Sequence, residues 1–169
     1  MIPLPTKYEK DIRSRINSLD TLVIIDNIKI ATRSLHLTNE DTNEKEFYVD
    51  RDLSVNSIKQ SVDFEKRSFK IGNVTIQISN YKINGSRFSD LFLDKSLVNR
   101  KVDIYQMTKS ATSVSDCLQL FSGKVRRYSI DERSVSFTVE DSTQEKLHKD
   151  LPNSRLPDEE QILEKYRNK

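Results

Sequence analysis

The chain is poor in the residues that most often carry chemistry: it holds one cysteine, two histidines and three glycines in 169 residues. A lone thiol, Cys117, excludes an intramolecular disulfide and fits assembly in a reducing cytoplasm. Gly72, Gly85 and Gly123 are too few and too scattered to build a glycine-rich phosphate cradle. No stretch of about eighteen apolar residues exists, which excludes a membrane-spanning helix. Met1-Ile2-Pro3-Leu4-Pro5 lacks the basic flank and apolar run of a secretory signal. Charge of one sign is also missing, since 28 Lys and Arg face 26 Asp and Glu. A dedicated nucleic-acid binder carries a clear basic surplus gathered on one face. About a third of the residues are hydrophobic and about a third charged, enough for one substantial core or two small ones.

What is present reads mainly as β-structure framed by helices. Thr6-Lys7-Tyr8-Glu9 has the spacing of a capping box, and Tyr8, Ile12, Ile16 and Leu19 form one apolar stripe. This predicts a helix over 6–18. The run Leu22-Val23-Ile24-Ile25, continuing to Ile28 and Ile30, predicts a buried strand. Thr38 to Lys45 is a polar turn, followed by a strand at Glu46-Phe47-Tyr48-Val49. Ile58, Val62 and Phe64 share a face, with Gln60 interrupting it. Asn73 to Asn80 alternates cleanly, with Val74, Ile76 and Ile78 inward and Thr75, Gln77 and Ser79 outward. Asn84-Gly85 marks a turn, Ser89-Asp90 caps a short helical turn through Phe92 and Leu97, and Lys101 to Met107 is a strand.

The most informative segment runs from Phe121 to Pro157. Strands at Leu118 to Tyr128 and Ser134 to Glu140 flank the turn Asp131-Glu132-Arg133-Ser134, with Val135, Phe137 and Val139 alternating against Ser136, Thr138 and Glu140. Alternation slips near Ser122, so Gly123 is expected at a bulge that curls the sheet. Glu140 to Glu145 ends the strand and opens a helix, and Leu151-Pro152 to Leu156-Pro157 closes the unit. The fold expected is mainly β: one or two small antiparallel β-barrels or a sandwich, with an N-terminal helix and short C-terminal helices. The organisation expected is a helical arm at 1–20, a β-rich module at 21–157 with a subdivision near 85, and a helical segment at 158–169.

The chemical candidates are few. His36 alternates with Leu35 and Leu37 and belongs on the polar side of a strand. His148 sits near the end of a charged helix, where the helix dipole favours a cation. Neither has partners at metal-ligand spacing. Cys117 has no basic neighbour to activate it and reads as a buried filler. Glu140-Asp141 point to opposite faces of a strand, and Glu159-Glu160 suit a helix start. Lys124, Arg126 and Tyr128 would share a strand face, with Arg127 on the other, and Lys10, Arg13 and Arg15 would add a patch on the first helix. The plainer reading is that these charges solvate a strand and discourage edge pairing. The nearby Asp131, Glu132, Glu140 and Asp141 weaken any phosphate field. No catalytic, cofactor-binding or metal-binding residue is assigned.

Several segments taken in order carry a family resemblance. They are Ile58 to Phe69, Val74 to Asn80, Gly85 to Asp90, Asn99 to Tyr105, Phe121 to Val125 and Val135 to Asp141, followed by Leu151-Pro152. Together, over about residues 20–157, the chain resembles tailed-phage baseplate hub and tail-tip proteins. The resemblance implies a hub-like β-barrel module without catalysis. It also implies rings that join the tail tube to distal tail parts, located in the virion and assembled in the host cytoplasm. Its partners would be copies of itself and other tail or baseplate proteins; the balanced charge argues against nucleic acid, and the lack of a long apolar run against a membrane-spanning helix. Members of that family are often longer, so this chain is expected to be the front portion of one. The other classes kept open are a small β-barrel module binding nucleic acid or carbohydrate, and a cell-wall hydrolase, for which the sequence offers no convergent carboxylates.

Overall fold

A computed structural model describes residues 4–14, 18–40, 42–58, 60–63, 68–83 and 85–142. Among the described residues the chain forms one α-helix, α1 (Thr6–Ile12), and eleven strands. The strands are β1 (Leu19–Ile25), β2 (Ile28–Ala31), β3 (Leu35–Thr38), β4 (Lys45–Asp50), β5 (Ser54–Val55), β6 (Gln60–Asp63), β7 (Ser68–Ile71), β8 (Val74–Ser79), β9 (Lys101–Thr108), β10 (Leu118–Ile130) and β11 (Ser134–Asp141). Nine of them make a single sheet in the order β3-β4-β2-β1-β9-β10-β11-β8-β5, while β6 and β7 pair as a separate hairpin.

The mainly β class is therefore seen, with two differences from the expected barrel or sandwich. The sheet is mixed, because β2 pairs parallel to β4 (Ile30 opposite Val49). It is also not closed, since β3 and β5 remain at its edges. Nor does the turn at Gly85 separate two sheets: β8, before it, pairs with β11, after it.

One large cluster lies on the inner face, built from Val23 and Ile25 of β1, Ile30 of β2, Val102 and Ile104 of β9, and alternate residues of β8, β10 and β11. Phe88 and Phe92, from the 3-10 turn Phe88–Phe92, close it against Tyr128 and Phe137. In a flat sheet β5 would sit about 24 Å from β1, five strand spacings of about 4.8 Å away. Yet Val55 and Ile58 line one cleft with Thr21 of β1 and Ile104 of β9. The sheet must curl strongly to bring them together.

Curling is helped by two bulges in β10. Leu120 is the extra residue opposite β9, and Arg126 the extra residue opposite β11. The expected bulge at Gly123 is thus displaced to either side. Gly123 itself pairs in register with Asp141 and Val102. It is glycine for lack of room: a Cβ there would lie 2.2 Å from the Glu140 carbonyl oxygen and 2.7 Å from the Phe121 ring.

The outer face is different. Beneath β1 and β9 it carries a second cluster of Leu22, Ala31, Leu37, Tyr48, Met107 and Cys117. β1 is therefore buried on both faces, which explains its unbroken apolar run. That run ends at Ile25, where Asp26-Asn27 forms a two-residue hairpin loop with Asp26 in the left-handed region (φ 53°). The long strand expected through Ile30 is in fact two. With so few glycines, Asp26, Asn43, Asp52 and Asn99 take the left-handed positions that turns require.

α1 is shorter than expected, and its capping box does not form. Pro5 stands at the N-cap with no side-chain cap, and the Glu9 carboxylate instead accepts from Arg13 at 2.6 Å. Of the expected stripe, Tyr8 is buried, Ile12 and Leu19 are exposed, and Ile16 lies outside the described residues. Phe64, the helix expected after Asp141, and the segment at 158–169 also lie outside the described residues. Among the described residues no helix is long and apolar enough to cross a membrane.

Candidate functional site

The basic strip expected along β10 is broken by the bulge at Arg126. Beyond it the alternation reverses, so Tyr128 turns inward and packs 5.9 Å from Phe137 and 5.7 Å from Phe92, centroid to centroid. Arg126 and Arg127 stay on the exposed side. There Arg126 pairs with Glu140, and the Arg127 Nε donates to Thr138 Oγ1 at 3.4 Å. Basic and aromatic groups therefore do not share one face. On α1, Arg13 is paired with Glu9 and Lys7 with Asp116, leaving no concentrated positive field there; Arg15 lies outside the described residues.

His36 projects outward from β3 and stacks on Phe47, opposite it on β4, at 4.8 Å. Cys117 is buried, and its thiol donates to the Ser113 carbonyl at 3.4 Å. Burial, assisted by the Asp116 charge, pushes that thiol up to about 12, so it stays protonated and inert at neutral pH. Glu140 is engaged with Arg126. His148 and Glu159-Glu160 lie outside the described residues. Among the described residues no three His, Cys, Asp or Glu side chains gather as a metal set.

Sequence reasoning missed the most connected group, Asp116, which closes the 3-10 turn Val114–Asp116 between β9 and β10. Its Oδ2 accepts from Lys7 Nζ at 2.8 Å, from the Thr112 amide and hydroxyl at 3.0 Å, and from the Ser113 amide and hydroxyl at 3.2 and 3.1 Å. Burial would raise this carboxyl, but the hydrogen bonds from Lys7, Thr112 and Ser113 together outweigh it and hold the pKa well below the usual carboxylate range. Three further bonds fasten α1 to the same region. Asp11 Oδ2 accepts from the Ser110 amide at 2.9 Å and hydroxyl at 2.6 Å, and the Tyr8 hydroxyl donates to Gln106 Oε1 at 2.5 Å. The arrangement is a clasp holding helix to sheet, and its polar groups are consumed by one another. The only sequence signal for it was a capping pattern, Ser113-Val114-Ser115-Asp116, five residues after the end of β9.

Two surface features remain. At the far end of β8, β10 and β11, the segment 81–93 exposes apolar side chains: Leu91 and Leu93 are 61% and 69% accessible, and Tyr81 and Ile83 are exposed too. They alternate with charges of both signs, Lys82, Arg87, Asp90 and Asp94, and Arg87 reaches Glu132 at 3.6 Å. On the outer face a cleft of about 440 Å³ opens between the sheet and the Val114–Asp116 turn, lined by Ile24, Lys29, Asn39, Glu46, Tyr48 and Ser115 among others. No protein-family model matches the chain, and no curated protein matches it in sequence.

Proposed function

We propose that this chain is a structural component of a phage tail or baseplate, a subunit that packs against copies of itself in a ring or hub joining the tail tube to distal tail parts. The observation that carries the reading is the ordered series of sequence segments resembling baseplate hub proteins. Among the described residues those segments fall on β6 through β11, while Leu151-Pro152 lies outside the described residues.

The surface supplies supporting physics. Large exposed side chains such as Leu91 and Leu93 bury apolar area when they are covered by a partner. Interleaved charges of both signs give such a contact orientation and partner choice more than raw affinity. A head-to-tail contact that closes on itself makes a ring. The barrel character implied by the resemblance would be completed in such an assembly by strands of neighbouring subunits meeting the outermost strand β5, or β3 beyond its bridge from Thr38 to Ser113.

The test is composition. Purified virions should contain this chain at a fixed ratio to other tail proteins, and tails assembled without it should stop short of a complete baseplate. Virions that lack the chain, with normal tails, would overturn the reading.

A further inference from the structure

We propose that the β6–β7 hairpin is a docking arm, and that its uncharged face seats in the cleft lined by Thr21, Val55, Asn56, Ile58, Ile104 and Leu120 on a second copy of this chain. The inference rests on the ring reading above and names a contact that would join its subunits.

The arm is visible in the strand register. β5 and β8 pair with Ser54 opposite Gln77 and Val55 opposite Ile76, and the Asn56 amide donates to the Thr75 carbonyl at 3.0 Å. β6 and β7 pair with Gln60 opposite Ile71 and Asp63 opposite Ser68. Equal numbers of residues separate the two ladders on either strand, so β5–β6 and β7–β8 form one ribbon whose pairing lapses at Ser57-Ile58 and Gly72-Asn73. Only the first part of that ribbon belongs to the large sheet. Val74, opposite Val139, starts the pairing of β8 with β11; beyond it, among the described residues, β6 and β7 pair with each other alone. A two-stranded hairpin by itself is marginal in water and needs a further strand or an apolar surface to lie on.

The surface it needs is uncharged. Strand alternation puts Gln60, Val62, Phe69 and Ile71 on one face of the hairpin and Ser61, Asp63, Ser68 and Lys70 on the other. The first face carries no charge. The cleft, about 490 Å³ in volume, likewise has no charged residue among those described as lining it, in a chain that is 32% charged. It opens beside Val55 of the outermost strand β5, with Ile58, Ile104 and Leu120 as its apolar surface. An uncharged ribbon face buries apolar area there, whereas a charged ligand would find no countercharge.

The occupant is the arm of a second copy. Ile58 stands at the foot of the chain's own arm and lines the cleft, and equal residue counts on the two strands leave no bulge to fold the ribbon back over it. Each chain carries both arm and cleft, the head-to-tail complementarity that a closed ring requires.

The experiment mixes two whole-chain variants, Phe69→Cys on the arm and Leu120→Cys at the cleft, under mild oxidation, with products read by intact mass. The native Cys117 is buried, so the unsubstituted chain gives the background. The disulfide-linked heterodimer should exceed that of a control pair, Phe69→Cys with Gln77→Cys on the exposed outer face, at least about tenfold, because docking raises the local thiol concentration. No excess over the control would overturn the proposal. So would a Phe69→Cys, Leu120→Cys double variant that closes its disulfide within one chain while the mixture stays unlinked. Rings that form without the heterodimer would sink this contact and leave the ring reading standing. A heterodimer from a chain absent from virions would support the contact and sink the ring reading.

Discussion

The two halves of the nine-stranded sheet obey different rules. Around β1, β2, β4 and β9 both faces are covered, by the inner cluster on one side and by Leu22, Leu37, Tyr48, Met107 and Cys117 on the other. Around β8, β10 and β11 only the inner face is apolar; Gln77 and Arg127 on the outer face are exposed, and Thr75, Ser136 and Thr138 are half-buried. The difference shows what each half is built for. The first half is a rigid centre to which the helix is clasped and against which a cleft is formed. The second presents a polar strand face and, at its end, exposed leucines.

Adjacent-residue alanine substitutions break the comparison most sharply. In the doubly covered half, Leu22→Ala should cost about 2–5 kcal/mol and its neighbour Val23→Ala more than about 1 kcal/mol, because both side chains are buried. In the other half, Phe137→Ala should cost about 3–5 kcal/mol while Ser136→Ala changes stability by no more than about 0.5 kcal/mol. Urea unfolding of the four variants checks this. A large loss at Ser136, or none at Leu22, would show that the halves are covered differently from this account.

Gly123 sits where the halves meet, and Gly123→Ala should destabilise by about 1–3 kcal/mol through the clash with the Glu140 carbonyl. Thermal unfolding would show it, and an unchanged midpoint would mean that β10 and β11 are further apart than described.

The clasp of α1 sharpens the comparison by pH. The Asp116 carboxyl is depressed in the folded state, so its contribution is complete above the unfolded value, near pH 4, and is lost as pH falls through the lower folded value. Asp116→Asn should therefore flatten the acid limb of the stability profile and weaken protection of the α1 amides from hydrogen exchange. Identical acid limbs in the two proteins would remove Asp116 from the clasp.

The smallest effect concerns Cys117. Its thiol stays protonated in the fold, so alkylation at pH 8 should be slow natively and rapid in denaturant. Because the folded pKa is raised, the linked stability is present below the ordinary value of 9.0 and is lost as pH rises from there toward about 12.

The sequence was most legible where one face meets water. Val74, Ile76 and Ile78, and Val135, Phe137 and Val139, alternate with polar residues, and all six prove buried. Legibility fell where both faces are covered, because alternation disappears: the run from Leu22 to Ile30 hid a hairpin whose signal was only Asp26-Asn27. The parallel pairing of β2 with β4 has no local signature, being decided by packing between segments far apart in sequence. The same holds for the cleft. Lys29, Glu46, Tyr48 and Ser115 are ordinary in their own segments, and only the topology brings them together. At Arg126 the pattern misled outright, since one extra residue in β10 sends Tyr128 to the core and leaves the arginines behind.

Electron microscopy of the purified chain, beside a Leu91→Asp, Leu93→Asp double variant, tests the central claim most directly. The account predicts closed rings of uniform diameter for the parent chain and monomers for the variant. A parent chain that stays monomeric at every concentration examined, or rings untouched by the two aspartates, would contradict it.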